Sequence, residues 1–200
     1  YYSVKLKKKR LSALKKNKNF IFIKVDLSNE NEMKKLKIYH VDLIFHLAAQ
    51  VGVRYTLNNP QKYVSTNIFG FFNFLKYIEK NKAKIVFYAS SSSVYGDNKN
   101  YPVKEKMFPK PKNIYAFTKV SNETTAKLFS NLFNKKFIGL RFFTIYGEWG
   151  RPDMLIYKYL TSAVKKEIFY VNNYGKDLRD FTYVNDVIKI LILLIKKKQK

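Results

Sequence analysis

The run Val41-Asp42-Leu43-Ile44-Phe45-His46 is almost unbroken in apolar character over the length of one strand. A strand without polar alternation has both faces covered, the condition of a parallel sheet flanked by helices. Small residues follow it, and then a long helical pattern opening at Pro60 through Tyr63, Ile68, Phe71, Phe72, Leu75 and Ile78. The same grammar returns at Lys84-Ile85-Val86-Phe87-Tyr88 and at Lys136 to Phe142, with a helix expected between them from about Asn113 to Phe133. Strands alternating with helices predict an α/β chain with a parallel sheet covered on both sides. Other expected elements are a helix over 3–16 and a strand at Phe20–Val25. Ser28 should cap a short helix carrying Met33 and Leu36. A helix should start at Pro152, short strands lie at 168–171 and 180–184, and a last helix runs from Asn185 to Ile195. Gly70, inside the long helix, should mark close packing on a neighbour.

Chemistry concentrates in two adjoining stretches. Tyr115 and Lys119 are four residues apart, so they share one helix face a turn apart. An ammonium held near a phenol favours the phenolate, which suits a proton acceptor working near neutral pH. Ahead of them, Ser90-Ser91-Ser92-Ser93 follows the strand at 84–88. In open α/β sheets the carboxyl ends of strands are where ligands bind. A hydroxyl, a phenol and an ammonium there suit removal of a proton from an alcohol as its hydride departs.

Composition narrows the classes. The chain has no cysteine, so a disulfide framework and a thiolate metal site are both out; no metal is expected. The apolar run Val187–Ile195 is too short to span a bilayer and is broken by Lys189, so a soluble, cytoplasmic protein is expected. The net charge of +25 raises nucleic acid as a partner, yet of 39 Lys and Arg only five are arginine. The lysines are scattered and accompany many Asn, Ile, Phe and Tyr, a composition bias rather than a binding stripe. No nucleic-acid partner is therefore expected. Four of the five arginines (Arg54, Arg141, Arg151 and Arg179) lie in the words given next, where a planar guanidinium suits carboxylate and phosphate recognition.

Those words are His46-Leu-Ala-Ala-Gln-Val-Gly-Val-Arg-Tyr55, Tyr88-Ala-Ser-Ser-Ser-Ser-Val-Tyr-Gly96, Tyr115-Ala-Phe-Thr-Lys119, Gly139 through Met154, and Tyr174-Gly-Lys-Asp-Leu-Arg-Asp-Phe-Thr-Tyr183. In this order they resemble the NAD-dependent epimerase/dehydratase family of extended short-chain dehydrogenase/reductases, and within it the UDP-glucuronate 4-epimerases. The resemblance implies a Rossmann-like doubly wound parallel sheet and NAD as cofactor. It implies oxidation of a UDP-sugar at C4, rotation of the 4-keto sugar and re-reduction, interconverting UDP-glucuronate and UDP-galacturonate. By resemblance Tyr115 is the base, Lys119 its charged neighbour and a ligand of the nicotinamide ribose, and Ser91 the hydroxyl that bonds the sugar 4-hydroxyl, with Ser92 and Ser93 beside the substrate. Asp26 and Leu27 match positions at the adenine ring, Leu47, Ala48 and Ala49 the ribose and pyrophosphate segment, and Thr66 the nicotinamide half. Thr144 and Arg151 match binders of the sugar carboxylate, and Arg179 a binder of the diphosphate. His46 is expected to be a packed strand-end histidine, Ser90 a strand-end cap, and Arg54 and Arg141 structural. Glu148 stands where relatives carry Pro. Family members pair through helices matching 60–80 and 113–133, so a homodimer is expected.

No glycine-rich turn follows a strand in this chain, though a dinucleotide-binding unit needs one to hold the pyrophosphate. The expectation is an internal fragment of a longer enzyme, inactive alone. It would lack the first βαβ unit and divide into a partial NAD-binding domain at 1–147 and the start of a nucleotide-sugar-binding domain at 148–200. Among rivals, a 4,6-dehydratase needs an acid and a base where Ser92 and Ser93 stand. A UDP-galactose 4-epimerase lacks the Thr144/Arg151 pairing. From another class, the chain would be a non-catalytic basic binding module.

Overall fold

The structure, a computed structural model, describes residues 2–36, 41–53, 57–98 and 100–198. Arg54, expected to be structural, lies outside them. By its internal contacts the chain forms two compact units, one of residues 23–142 and one of residues 1–22 with 143–200.

The first unit is built on three parallel strands in chain order: β1 (Leu43–His46), β2 (Ile85–Ser91) and β3 (Lys136–Phe142). Leu43 stands opposite Ile85, and Ile85 opposite Lys136. In β2, Val86, Phe87 and Tyr88 are all buried, as a central strand covered on both faces requires. The crossover to β2 is one helical run: α3 (Pro60–Tyr63), a π-helical turn at Val64–Phe69, and α4 (Gly70–Glu79). Its apolar residues at i, i+3, i+4 and i+7 (Phe71, Phe74, Leu75, Ile78) enter the core with Val86, Tyr88 and Ala126. Gly70 is small because a β-carbon there would lie 3.3 Å from Leu27 Cβ. The crossover to β3 is α5 (Ile114–Phe133), capped by Asn113, whose Oδ1 accepts from Ala116 N–H at 2.8 Å. It ends at Asn134 in the left-handed conformation, φ 48°.

Gly139, in β3, faces the ring of buried Tyr88, where a β-carbon would sit 2.6 Å from the hydroxyl and 2.7 Å from Cζ. The crowding is with a packed ring, so Gly139→Ala should destabilise the full-length protein by about 1–3 kcal/mol. Urea unfolding measures it, and a midpoint unchanged from wild type would contradict this packing.

The second unit contains α1 (Val4–Leu14), the paired parallel strands β4 (Thr144–Tyr146) and β5 (Phe181–Tyr183), α6 (Leu155–Lys165) and α7 (Val184–Lys198). Several expectations are corrected. Residues 20–25 form no strand, and Ile21 is 74% exposed; no described strand pairs with them, and a strand without a partner leaves its backbone polar groups unmet. Residues 168–171 are likewise unpaired, with Tyr170 exposed. The short helix, α2 (Glu30–Met33), is capped by Asn29 rather than Ser28: Asn29 Oδ1 accepts from the N–H of Asn31 and Glu32. Leu36 lies beyond that helix. Pro152 sits in a turn closed by Met154 N–H on Arg151 O at 3.3 Å, and α6 begins at Leu155.

Candidate active site

Strand β2 runs straight into the serines. Ser90 and Ser91 are its last described strand positions, and Ser92–Tyr95 is a 3₁₀ turn. Ser91 Oγ accepts from Ser93 N–H at 3.2 Å. The cap at this strand end is therefore Ser91 and not Ser90. A hydroxyl has one donor and two acceptor sites, so this bond leaves the Ser91 O–H free to donate. Ser90 is 3% exposed and donates to Glu123 Oε1 at 2.5 Å. The same carboxylate takes the Arg141 guanidinium through Nε at 2.9 Å and Nη2 at 2.7 Å. Arg141 is thus structural, as expected. It clamps α5 to β3, and its bidentate pair with Glu123 raises its pKa further.

Asn113 starts α5 so that Tyr115 lies in the first turn and Lys119 in the second. Tyr115 is half-buried, and Lys119 is only 2% exposed. Lys119 Nζ donates to Ala89 O at 2.8 Å and lies 5.8 Å from the centre of the Tyr115 ring. That bond ties the helix to β2 beside the serines. Desolvation is the cause that lowers the Lys119 pKa from 10.5 to about 8, so the ammonium is charged at neutral pH. Of its three N–H donors, one has a described acceptor.

Near the end of β1, His46 is buried, stacked on Phe74 with centroids 4.3 Å apart. Burial, then the Lys119 charge, drives its pKa down to about 3, so it packs as a neutral ring. Beyond it Leu47 and Ala48 are exposed and Ala49 half-buried, while Thr66 is half-buried in the π-helical turn. Asp26 is engaged locally: its Oδ1 accepts from Ser28 N–H at 2.9 Å and Ser28 Oγ at 2.7 Å, bonds that lower its pKa. Leu27 O accepts from Asn73 Nδ2 at 2.8 Å.

Sequence reasoning missed Asn67. It is 2% exposed in the π-helical turn. Its Oδ1 accepts from Gln50 N–H at 2.7 Å, and its Nδ2 donates to Gln50 O and to Thr118 Oγ1, both at 3.0 Å. One carboxamide thereby joins the segment after β1, the π-helical turn and the helix carrying Tyr115 and Lys119. An asparagine inside a helical pattern is unfavourable, and that was the available signal.

In the other unit Thr144 opens β4, with its N–H on Asp180 O at 3.2 Å. Arg151 Nε lies 3.3 Å from Asp153 Oδ1, and Nη2 lies 3.0 Å from Met154 Sδ. Arg179 is exposed, paired with Asp177 at 3.1 Å. Glu148, at the position expected to be Pro, accepts from Tyr183 Oη at 2.9 Å.

A Rossmann-like parallel sheet with a Tyr/Lys pair beside a strand's carboxyl end marks the short-chain dehydrogenase/reductase class. Residues 3–200 match the family described as the NAD dependent epimerase/dehydratase family, and the chain belongs to it. It is 45% identical over 199 residues to an uncharacterised protein of Methanocaldococcus jannaschii, covering 98% of this chain and 61% of that protein. It is 40% identical over 195 residues to UDP-glucuronate 4-epimerase 4 of Arabidopsis thaliana, covering 94% of this chain and 44% of that enzyme. The crystal structure of UDP-glucuronic acid 4-epimerase from Bacillus cereus, in complex with UDP-glucuronic acid and NAD, matches with a TM-score of 0.85 at 30% identity, covering 96% of this chain and 60% of that one. The chain thus spans roughly 60% or less of the length of these proteins. Among the described residues no helix is long and apolar enough to cross a membrane.

Proposed function

We propose that the protein carrying this chain is an NAD-dependent nucleotide-sugar 4-epimerase whose substrates are UDP-glucuronate and UDP-galacturonate. The observation that carries the reading is the buried Lys119, bonded to Ala89 O and 5.8 Å from the Tyr115 ring centre, beside a strand end bearing Ser91. The nicotinamide half of NAD fits these residues: two Lys119 N–H groups have no described acceptor, which suits the paired hydroxyls of a ribose. Leu47, Ala48, Ala49 and Thr66 would lie along the cofactor, with Asp26 and Leu27 toward its adenine end. NAD, when bound, would supply the hydride acceptor and donor for C4.

The chain's own residues would handle the proton. Tyr115 Oη takes it from the sugar 4-hydroxyl as C4 is oxidised and returns it as C4 is reduced. The Lys119 ammonium stabilises the phenolate that Tyr115 is before it takes the proton and again after it returns it, and Ser91 Oγ, with its free O–H, holds the sugar oxygen. Ser92 and Ser93, Thr144, Arg151 and Arg179 would bind the UDP-sugar. A homodimer belongs to the same proposal, supported by exposed Phe69 and Phe72 on the run after Pro60 and Leu128 and Leu132 on α5. The division of labour between 1–147 and 148–200 does too, although the compact units divide at Phe142 and place residues 1–22 with 143–200.

The glucuronate assignment rests on Arg151. UDP-glucuronate differs from UDP-glucose by a carboxylate at C5, and a charge-assisted bond to it is worth roughly 1.5–3 kcal/mol. Arg151 already faces Asp153, so a sugar carboxylate has to share that guanidinium or displace Asp153. Arg151→Leu in the full-length protein should lower kcat/KM for UDP-glucuronate by about 10- to 150-fold, with little loss for UDP-glucose. Equal losses on both sugars would mean that Arg151 only shapes its loop, and the glucuronate assignment would lose its main physical support against the UDP-glucose/UDP-galactose alternative.

A further inference from the structure

Arg10 is the one arginine outside the motif words, and it is not a solvated surface charge. Its Nη2 donates to Trp149 O at 2.5 Å and Gly150 O at 3.0 Å, its Nη1 to Tyr2 Oη at 2.6 Å. Its Nε is buried with no partner among the described residues. The guanidinium also lies 5.3 Å from the Tyr2 ring centre. One side chain of α1 therefore ties down two successive carbonyls, and the next residue is Arg151.

The segment it holds is conformationally expensive. Trp149 has φ 61° and Gly147 φ 141°, and a non-glycine residue in the left-handed region is strained. Gly150 N–H closes a turn on Gly147 O at 3.1 Å. A β-carbon at Gly147 would meet Val184 Cγ1 at 2.5 Å. Glu148, on the other side, takes Tyr183 Oη. Loops in sparsely populated backbone conformations persist only where surrounding groups over-determine them, and Arg10 supplies two of the fixing bonds on the Arg151 side.

We propose that Arg10 is a positioning residue for substrate choice: by holding the Trp149 and Gly150 carbonyls it fixes the backbone from which Arg151 reaches a sugar carboxylate. This rests on the glucuronate reading above. Lysine cannot reproduce the contact, because a point ammonium lacks the planar fork.

The test uses the full-length protein, with kcat/KM measured on UDP-glucuronate and UDP-glucose for Arg10→Met, Arg10→Lys, Arg151→Leu and the Arg10→Met/Arg151→Leu double variant. Arg10→Met should lower the preference for UDP-glucuronate by roughly 10- to 100-fold, the loss that a ~1 Å misplacement costs. UDP-glucose turnover should stay near wild type, which also reports that the variant folds. Arg10→Lys should recover little. On the Arg151→Leu background Arg10→Met should change the preference no further. Fully additive effects, or parallel losses on both sugars, would overturn the positioning role. A second readout is independent of the substrate. The ¹⁹F resonance of 5-fluorotryptophan at position 149, assigned by its loss in Trp149→Phe, should shift or broaden in Arg10→Met. If it does while Arg151→Leu leaves the preference intact, the loop contact stands but the glucuronate reading and the substrate role both fall. An unmoved resonance overturns the contact itself.

Discussion

Tyr115→Phe in the full-length protein is expected to lower turnover by about 10²- to 10⁴-fold, the usual worth of a positioned proton-transfer group, while NAD binding stays nearly intact. The residue sits in the first turn of α5, half-buried, so its ring keeps its packing when the hydroxyl is removed. Only the oxygen proposed to exchange the proton is lost. The Lys119 ammonium remains on Ala89 O, and so does its capacity to bond a ribose. Steady-state kinetics and NAD titration separate the two effects, and turnover near wild type would remove Tyr115 from the role of base.

Lys119→Met is expected to damage both, with turnover down at least about 10²-fold and NAD lost on gel filtration. The reason is that in the proposed mechanism one ammonium both stabilises the phenolate and bonds the cofactor. It also leaves a signature in stability. Lys119 is almost fully buried, and its pKa falls from 10.5 to about 8. Below pH 8 folded and unfolded states both carry the proton, and folding bears the whole desolvation cost, of order 3 kcal/mol. Between pH 8 and 10.5 the unfolded state binds more protons than the folded state, so stability rises with pH. Methionine has no such titration. Wild type should therefore gain stability relative to Lys119→Met as pH rises through that window, whatever the offset from leaving Ala89 O without its donor. Urea midpoints at pH 7.5 and 10 measure the difference. A constant difference would mean that the lysine is solvated rather than buried and charged.

What the sequence made legible was what is locally encoded. α5 carries its own apolar spacing and its Asn113 cap, β3 is a mostly apolar run found at the expected residues, and β2 starts at Ile85 and runs on through Ala89 to Ser91. The failed strand at 20–25 has as good a local pattern, but pairing is a property of two segments and no described strand lies beside it. Asn29 and Ser28 are adjacent, equally competent caps, and Ser28 went instead to the Asp26 carboxylate. The π-helical turn keeps the apolar spacing of a helix and so was invisible. At the site, Tyr115 and Lys119 could be read because four residues of helix place them together. The Asn67–Thr118 and Glu123–Arg141 contacts join residues 51 and 18 apart, and no local pattern encodes such separations. Arg10 is the extreme case, reaching carbonyls 139 and 140 residues away.

The central claim is that the Tyr115 phenolate, stabilised by the Lys119 ammonium, moves the 4-hydroxyl proton while the carbon skeleton is only inverted at C4. Proton NMR of UDP-glucuronate incubated in D₂O with the full-length protein tests it most directly. The expected result is an equilibrium with UDP-galacturonate in which the hydrogen at C4 is retained and no carbon-bound position gains deuterium. Deuterium appearing on carbon, loss of water to give an unsaturated or deoxy sugar, or no conversion at all would contradict it.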